Sequence, residues 1–153
     1  MYHEILGQIE CYCPGHGEAV IDYESRKIKV LIASDGEPFE LTVELAAEVV
    51  RKLHDVDQAA RRIIVAQLLD TYNSGWNEHD ELQEDGSLKT VRNPQLSADE
   101  FVQKFSLTSV TAMESREVDL FYDDDSNLFW GHCVIVSSRA GTDFSDGEAK
   151  LFG

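Results

Sequence analysis

Apolar and polar positions alternate through the first part of the chain, take helical spacing in the middle, and return to alternation towards the end. Ile5, Gly7, Ile9 and Cys11 alternate with polar neighbours until Pro14-Gly15-His16-Gly17 breaks the run, which predicts a first strand. Residues 18–23 and 27–33 predict two more strands around a Glu24-Ser25-Arg26 turn, with Ile28, Val30 and Ile32 on one face. Residues 42–73 change period. Thr42 is placed to cap a helix whose apolar stripe is Leu45, Ala46, Val49, Val50 and Leu53. Asp55-Val56-Asp57 predicts a break, with Asp57 capping a second helix that carries Ala60, Ile63, Ile64, Leu68 and Tyr72 and stops at Asn73-Ser74-Gly75.

Residues 77–96 are polar and predict a surface loop, with Asp85-Gly86 as a turn. A capping box, Ser97-Ala98-Asp99-Glu100, opens a short helix bearing Phe101 and Phe105. Strands are then expected at 107–112, 117–122, 128–137 and 148–152, the second and third joined through Asp123-Asp124-Asp125-Ser126-Asn127. The third is apolar on both faces, which predicts a central strand with helices over one side. The expected fold is α+β in a single domain over 1–153: N-terminal antiparallel strands, a central helical pair, and a C-terminal antiparallel β-meander.

Charge changes the picture more than composition does. Of 153 residues, 42% are hydrophobic, enough for a packed core, while 29 Asp and Glu face 13 Lys and Arg for a formal net charge of −16. Such a charge opposes nucleic acid, whose binding depends on basic side chains, and anionic membrane surfaces. It steers cationic proteins inward, although solubility alone also accounts for it. The excess is local. Residues 26–62 balance seven basic against seven acidic groups, whereas residues 77–125 hold thirteen acidic and four basic. The N-terminus has no basic and apolar leader pattern, and no apolar run reaches the roughly 20 residues that span a bilayer. Three cysteines, two of them one residue apart, fit reduced thiols in the cytoplasm better than a disulfide framework.

Two further segments carry a family likeness. Leu68-Leu69 ahead of Tyr72-Asn73-x-x-Trp76, and Leu128-Phe129-Trp130-Gly131-His132 leading a Val/Ile strand, resemble a bacterial domain family of unknown function. Its members also show a leading Leu-Gly pair, here Leu6-Gly7, and a closing strand that finishes in glycine, here Gly153. The resemblance covers nearly the whole chain, and this sequence departs from it in the polar insert between Trp76 and Ser97. It implies the fold. It brings no catalytic residues or cofactor, and small acidic bacterial domains of this kind are suspected of neutralising toxins or binding partners.

The candidate chemistry is sparse. Trp130 and His132, two apart on an expected strand, would share a face, where an imidazole can act as acid, base or ligand. The alternation instead predicts a structural pair, with Gly131 admitting Phe121 or Tyr122 across the strand. Cys11-x-Cys13-x-x-His16, with His3 nearby, offers soft metal ligands at a spacing poorer than that of structural zinc sites. Asp123, Asp125 and Asn127 open like a calcium loop, but Leu128 and Val134 stand where glycine and glutamate are needed. Asn73 and Trp76 close the second helix. No phosphate-cradling glycine loop, Gly-x-Ser-x-Gly elbow or His-Glu-x-x-His helix is present. The reading this favours is a non-enzymatic binding protein without a cofactor, whose acidic face engages a basic protein, with Trp130, His132, Asp123, Asp124 and Asp125 as binding residues. Its rivals are a small-molecule hydrolase or other enzyme using His132, oriented by Asp119, and a metal-binding protein using Cys11, Cys13 and His16.

Overall fold

The structure is a computed structural model and describes residues 1–125 and 127–153. A seven-stranded mixed sheet organises it. Strands β1 (Tyr2–His3) and β2 (Gly7–Gln8) form a small antiparallel pair that leads into β3 (Glu10–Cys13), β4 (His16–Tyr23) and β5 (Arg26–Ala33). Helices α1 (Phe39–Arg51) and α2 (Leu53–Thr71) follow, and a wide turn over Tyr72–Trp76 opens into the hairpin β6 (Glu78–Leu82) and β7 (Leu88–Arg92). After the short α3 (Ala98–Val102) come β8 (Phe105–Met113), β9 (Glu117–Asp124), β10 (Cys133–Ser138) and β11 (Glu148–Phe152). The sheet order is β11-β10-β9-β8-β5-β4-β3. Neighbours are antiparallel except β5 and β8, which run parallel because the whole helical centre crosses over between them. An α+β fold with a C-terminal meander is what the sequence predicts. The parallel seam that joins its two halves is not.

Alternation sets the core. Ile28, Val30 and Ile32 of β5, Val110 and Ala112 of β8, Val118, Leu120 and Tyr122 of β9, and Val134 and Val136 of β10 are buried on one face. Against it lie α1, over β5 and β8, and α2, over β10 and β11. Each Val, Leu or Ile among them contributes about 1.5–3 kcal/mol over its exposed state. The β4–β5 turn places Glu24 and Ser25 at φ 48° and 64°, the two left-handed central residues of a two-residue hairpin whose twist matches its strands.

Several expectations shift. The first strand is bent at Gly7 (φ 72°), so that Leu6 and Ile9 are buried while Cys11 is exposed. Helix α1 begins at Phe39, directly after Pro38, and leaves the expected cap Thr42 buried in the first turn with its hydroxyl unpartnered. The helices part at Lys52, whose N–H closes α1 on Glu48 and Val49, so Asp57 lies inside α2 and caps nothing. Gly75 takes no left-handed conformation. The helix instead widens into a turn closed by the Asn77 N–H on the Tyr72 carbonyl, 3.1 Å.

The polar stretch over 77–96 is a hairpin, not a featureless loop. Gly86 (φ 83°) turns it, and Asp85 accepts from the Ser87 N–H and hydroxyl. Both its strands are polar because they stand away from the core, which removes the alternation by which a strand is recognised. The expected strand over 128–137 begins only at Cys133 and lies next to the sheet edge, not at its centre. Asp124 accepts from the N–H groups of Leu128 and Phe129, at 2.8 and 3.2 Å, and folds those residues into turns. Ser126, which the expected turn included, lies outside the described residues.

Candidate functional site

The two family-like segments, 52 positions apart from Trp76 to Leu128, meet at one end of α2. Trp76 leaves the wide turn beside Tyr72, and Asn73 locks that turn to the chain returning from the hairpin. Its amide donates to the Leu96 carbonyl and its carbonyl oxygen accepts from the Leu96 N–H, both at 2.9 Å. Asn73 is therefore a staple between segments, not a cap. From the other side, the Asp124-held turns bury Phe129 and bring Trp130 over Trp76, with ring centroids 4.7 Å apart. Phe129 and His132 meet the same indole edge-on, at 5.4 and 5.5 Å.

Trp130 is not a core residue. It is 54% exposed and sits at φ 52°, followed by Gly131 at φ 87° with open space where a side chain would project. The expected packing of Phe121 or Tyr122 across Gly131 does not occur. A groove of about 520 Å³ runs along Trp76 and Trp130, and His79 and Asp80 of β6, Asn93 and Asn127 supply its polar wall. His132 is half-buried behind it. Its Nδ1 lies 2.7 Å from the Phe129 carbonyl, and its ring packs on Gly153.

The remaining expected residues separate by position. Asp124 is tied to the turn backbone, and its charge, after burial, raises the Tyr72 phenol above its ordinary value. Asp125 accepts from the Ser106 hydroxyl at 3.0 Å, and Asp123 is exposed. Asp119 lies opposite Ser137, five residues along from His132 and about 16 Å away at the rise of a strand, so the two do not meet. Cys11 pairs with Gly17, and Cys13 with His16, across a bulge, while His3 turns to Glu44. Among the described residues no three His, Cys, Asp or Glu side chains gather to hold a metal ion.

A buried network escaped the sequence reading. Asp57, fully buried, accepts from the Tyr122 hydroxyl at 2.6 Å, the Tyr23 hydroxyl at 3.0 Å and Arg61 Nε at 3.0 Å. Arg61 Nη1 also donates to the Val102 and Phe105 carbonyls, and its guanidinium lies 5.5 Å over the Tyr122 ring. Burial, then the Asp57 charge, pushes both phenols far above the ordinary tyrosine value. The one signal in the sequence was the Asp57/Arg61 spacing of one helical turn, which an exposed ion pair shares.

A family model described as "Uncharacterized protein conserved in bacteria (DUF2262)" matches residues 7–148. No curated protein and no solved structure matches the chain. Among the described residues no helix is long and apolar enough to cross a membrane.

Proposed function

The chain belongs to this family of uncharacterised bacterial proteins, whose description lends it no activity, and from its own geometry we propose that it is a binding protein that receives a cationic segment of a partner protein in the Trp76–Trp130 groove. The observation that carries this reading is Trp130: a large apolar ring held in the open, in a backbone conformation unfavourable to it, against a second indole. A pair of indole faces attracts an ammonium or guanidinium group, most strongly where water is partly excluded. Asp80 in the groove wall, and Asp123 and Asp125 on the chain that carries Trp130, add the matching charge.

The hairpin extends the same surface. It is held at its base by the Asn77 amide on the Asn93 carbonyl, at 3.0 Å, and by the Asn93 N–H on the Asn77 carbonyl, at 2.7 Å. Its tip presents the cross-strand pair Leu82 and Leu88, both largely exposed, among the acidic side chains of Glu81, Glu84 and Asp85, while Glu78 at the base pairs with Arg92. Apolar contacts flanked by acid suit a basic, amphipathic partner, of the kind an immunity protein neutralises. The rival role for His132 lacks its expected orienter, because Asp119 lies opposite Ser137 and, among the described residues, the imidazole hydrogen-bonds only with the Phe129 carbonyl.

Both tryptophans of the chain lie in the groove, so intrinsic fluorescence reports on it directly. Tagged protein is used to capture partners from the native bacterium at low salt, and the captured protein is then titrated against parent, Trp130→Ala and Asp80→Asn. The reading requires a fluorescence change on binding, and binding weakened tenfold or more in both variants, roughly the loss of 1.4 kcal/mol. Equal capture by all three proteins, or capture that leaves the indole emission unchanged, overturns it.

A further inference from the structure

A cavity of about 670 Å³ lies at the N-terminal end of the parallel seam and shares no lining residue with the indole groove. Pairing between β5 and β8 begins at Lys29 and Ser109, and β8 carries a bulge between Leu107 and Ser109. Ahead of that point the two strands are unpaired with one another, and α2 and α3 roof the gap. Ile28, Val65, Val102 and Phe105 make it apolar. Its polar lining includes three arginines, in a chain where acidic residues outnumber basic ones 29 to 13.

Arg61 is built for recognition. Asp57 and two carbonyls fix its Nε and Nη1, which leaves the guanidinium plane preset. Its Nη2 has no protein partner among the described residues and is not sealed from solvent. Arg26 and Arg62 are exposed at the rim and form no ion pair among the described residues. Glu24 and Asp99 share that rim, and Asp57 neutralises Arg61 from within, so three guanidiniums stand against three carboxylates. A site without net positive charge suits a singly charged head, set directly on guanidinium donors, over a polyphosphate, whose further charges the two rim carboxylates repel.

We propose that this cavity binds a small amphipathic carboxylate, its head held by Arg61 with Arg26 and Arg62 and its apolar body laid against Val65, Ala66 and Val102. Arg61 contributes an already oriented donor, so little side-chain entropy is lost when the anion arrives. The exposed pair supplies attraction that salt screens.

Decanoate, decyl phosphate and decanol serve as probes, followed by nitrogen-15 NMR of the arginine Nε–H groups and the backbone of α2. Decanoate is expected to shift the Arg61 Nε–H and the Val65 amide, and to bind roughly tenfold or more tighter than decanol, the factor that about 1.4 kcal/mol of charge-assisted contact produces. Arg26→Gln/Arg62→Gln, whose side chains form no ion pair among the described residues, is expected to lose most of that advantage. Ala66→Phe, on the exposed wall of α2, is expected to block the probe while the chain stays folded. The proposal is overturned if decanol matches decanoate, if decyl phosphate binds more tightly than decanoate, if the double arginine variant binds unchanged, or if the shifts map to Trp76 and Trp130.

Discussion

At Trp130 the conformational cost of φ 52°, on the order of 1–3 kcal/mol for a non-glycine residue, is borne by a side chain that stays more than half in water. Replacing it with glycine removes that strain, which offsets the lost contact with Trp76 and the added freedom of the unfolded chain. Trp130→Gly is therefore expected to unfold within about 1 kcal/mol of the parent in urea. Trp76 touches Phe129, Trp130 and His132 together, and Trp76→Ala is expected to cost about 2–3 kcal/mol, below the range of a fully buried aromatic. If Trp130→Gly proves the more damaging of the two, the indole is a structural element and the groove loses its main argument. Thr42 gives a converse case. Its hydroxyl is buried inside α1 without a partner, so the isosteric Thr42→Val is expected to raise stability by about 1 kcal/mol, visible as a higher thermal midpoint.

Elements that pack on the core were legible in the sequence, and elements that stand clear of it were not. The strands over Arg26–Ala33, Glu117–Asp124 and Glu148–Phe152, together with the capping box at Ser97 and Glu100, follow the expected pattern because one face of each is buried or each cap is local. The hairpin Glu78–Leu82 and Leu88–Arg92 offered no alternation, since neither face is covered. The turns at 127–131 were hidden for a different reason. Leu128, Phe129 and Trp130 read as strand by residue type, and only the Asp124 carboxylate, four and five positions earlier, diverts their N–H groups from a ladder. The meeting of Trp76 with Trp130 depends on that diversion, a local side-chain contact, and on the Asn73 staple, a long-range one, and no hydrophobic period encodes either. The hairpin's independence is testable. Replacing residues 78–92 with a short Gly-Ser link, while keeping Asn77 and Asn93, is expected to leave the thermal midpoint within a few degrees of the parent and to abolish partner capture. A large fall in the midpoint shows instead that the hairpin supports the sheet.

Across the whole molecule, the network at Asp57 joins parts that are remote in sequence: β4 through Tyr23, α2 through Asp57 and Arg61, β9 through Tyr122, and the α3–β8 junction through the carbonyls of Val102 and Phe105. It crosses the parallel seam, where the N-terminal and C-terminal strands share a single ladder, and so ties the two halves of the sheet to one helix. Its pH response follows from the tyrosines. Burial first, and the neighbouring Asp57 charge second, hold the folded Tyr122 phenol well above the value of about 10 that it takes in an unfolded chain. Below that pH both states are protonated and the network's stabilisation is fully present. Above it the unfolded chain releases a proton that the folded chain keeps, so stability declines as pH rises, by about 1.4 kcal/mol per pH unit for this one group. Tyr122→Phe removes the ionisable group and one donor to Asp57 together. It is expected to lower stability by about 1–3 kcal/mol at pH 8, where a buried carboxylate loses a partner, and to flatten the decline between pH 10 and 11. Urea melts of both proteins at pH 8, 10 and 11, followed by circular dichroism, measure the two slopes. Parallel slopes mean that other groups, the raised Tyr23 phenol among them, govern alkaline unfolding and that Tyr122 does not; a shallower slope in the variant places the alkaline limit of the fold at the Tyr122 hydroxyl that Asp57 accepts from.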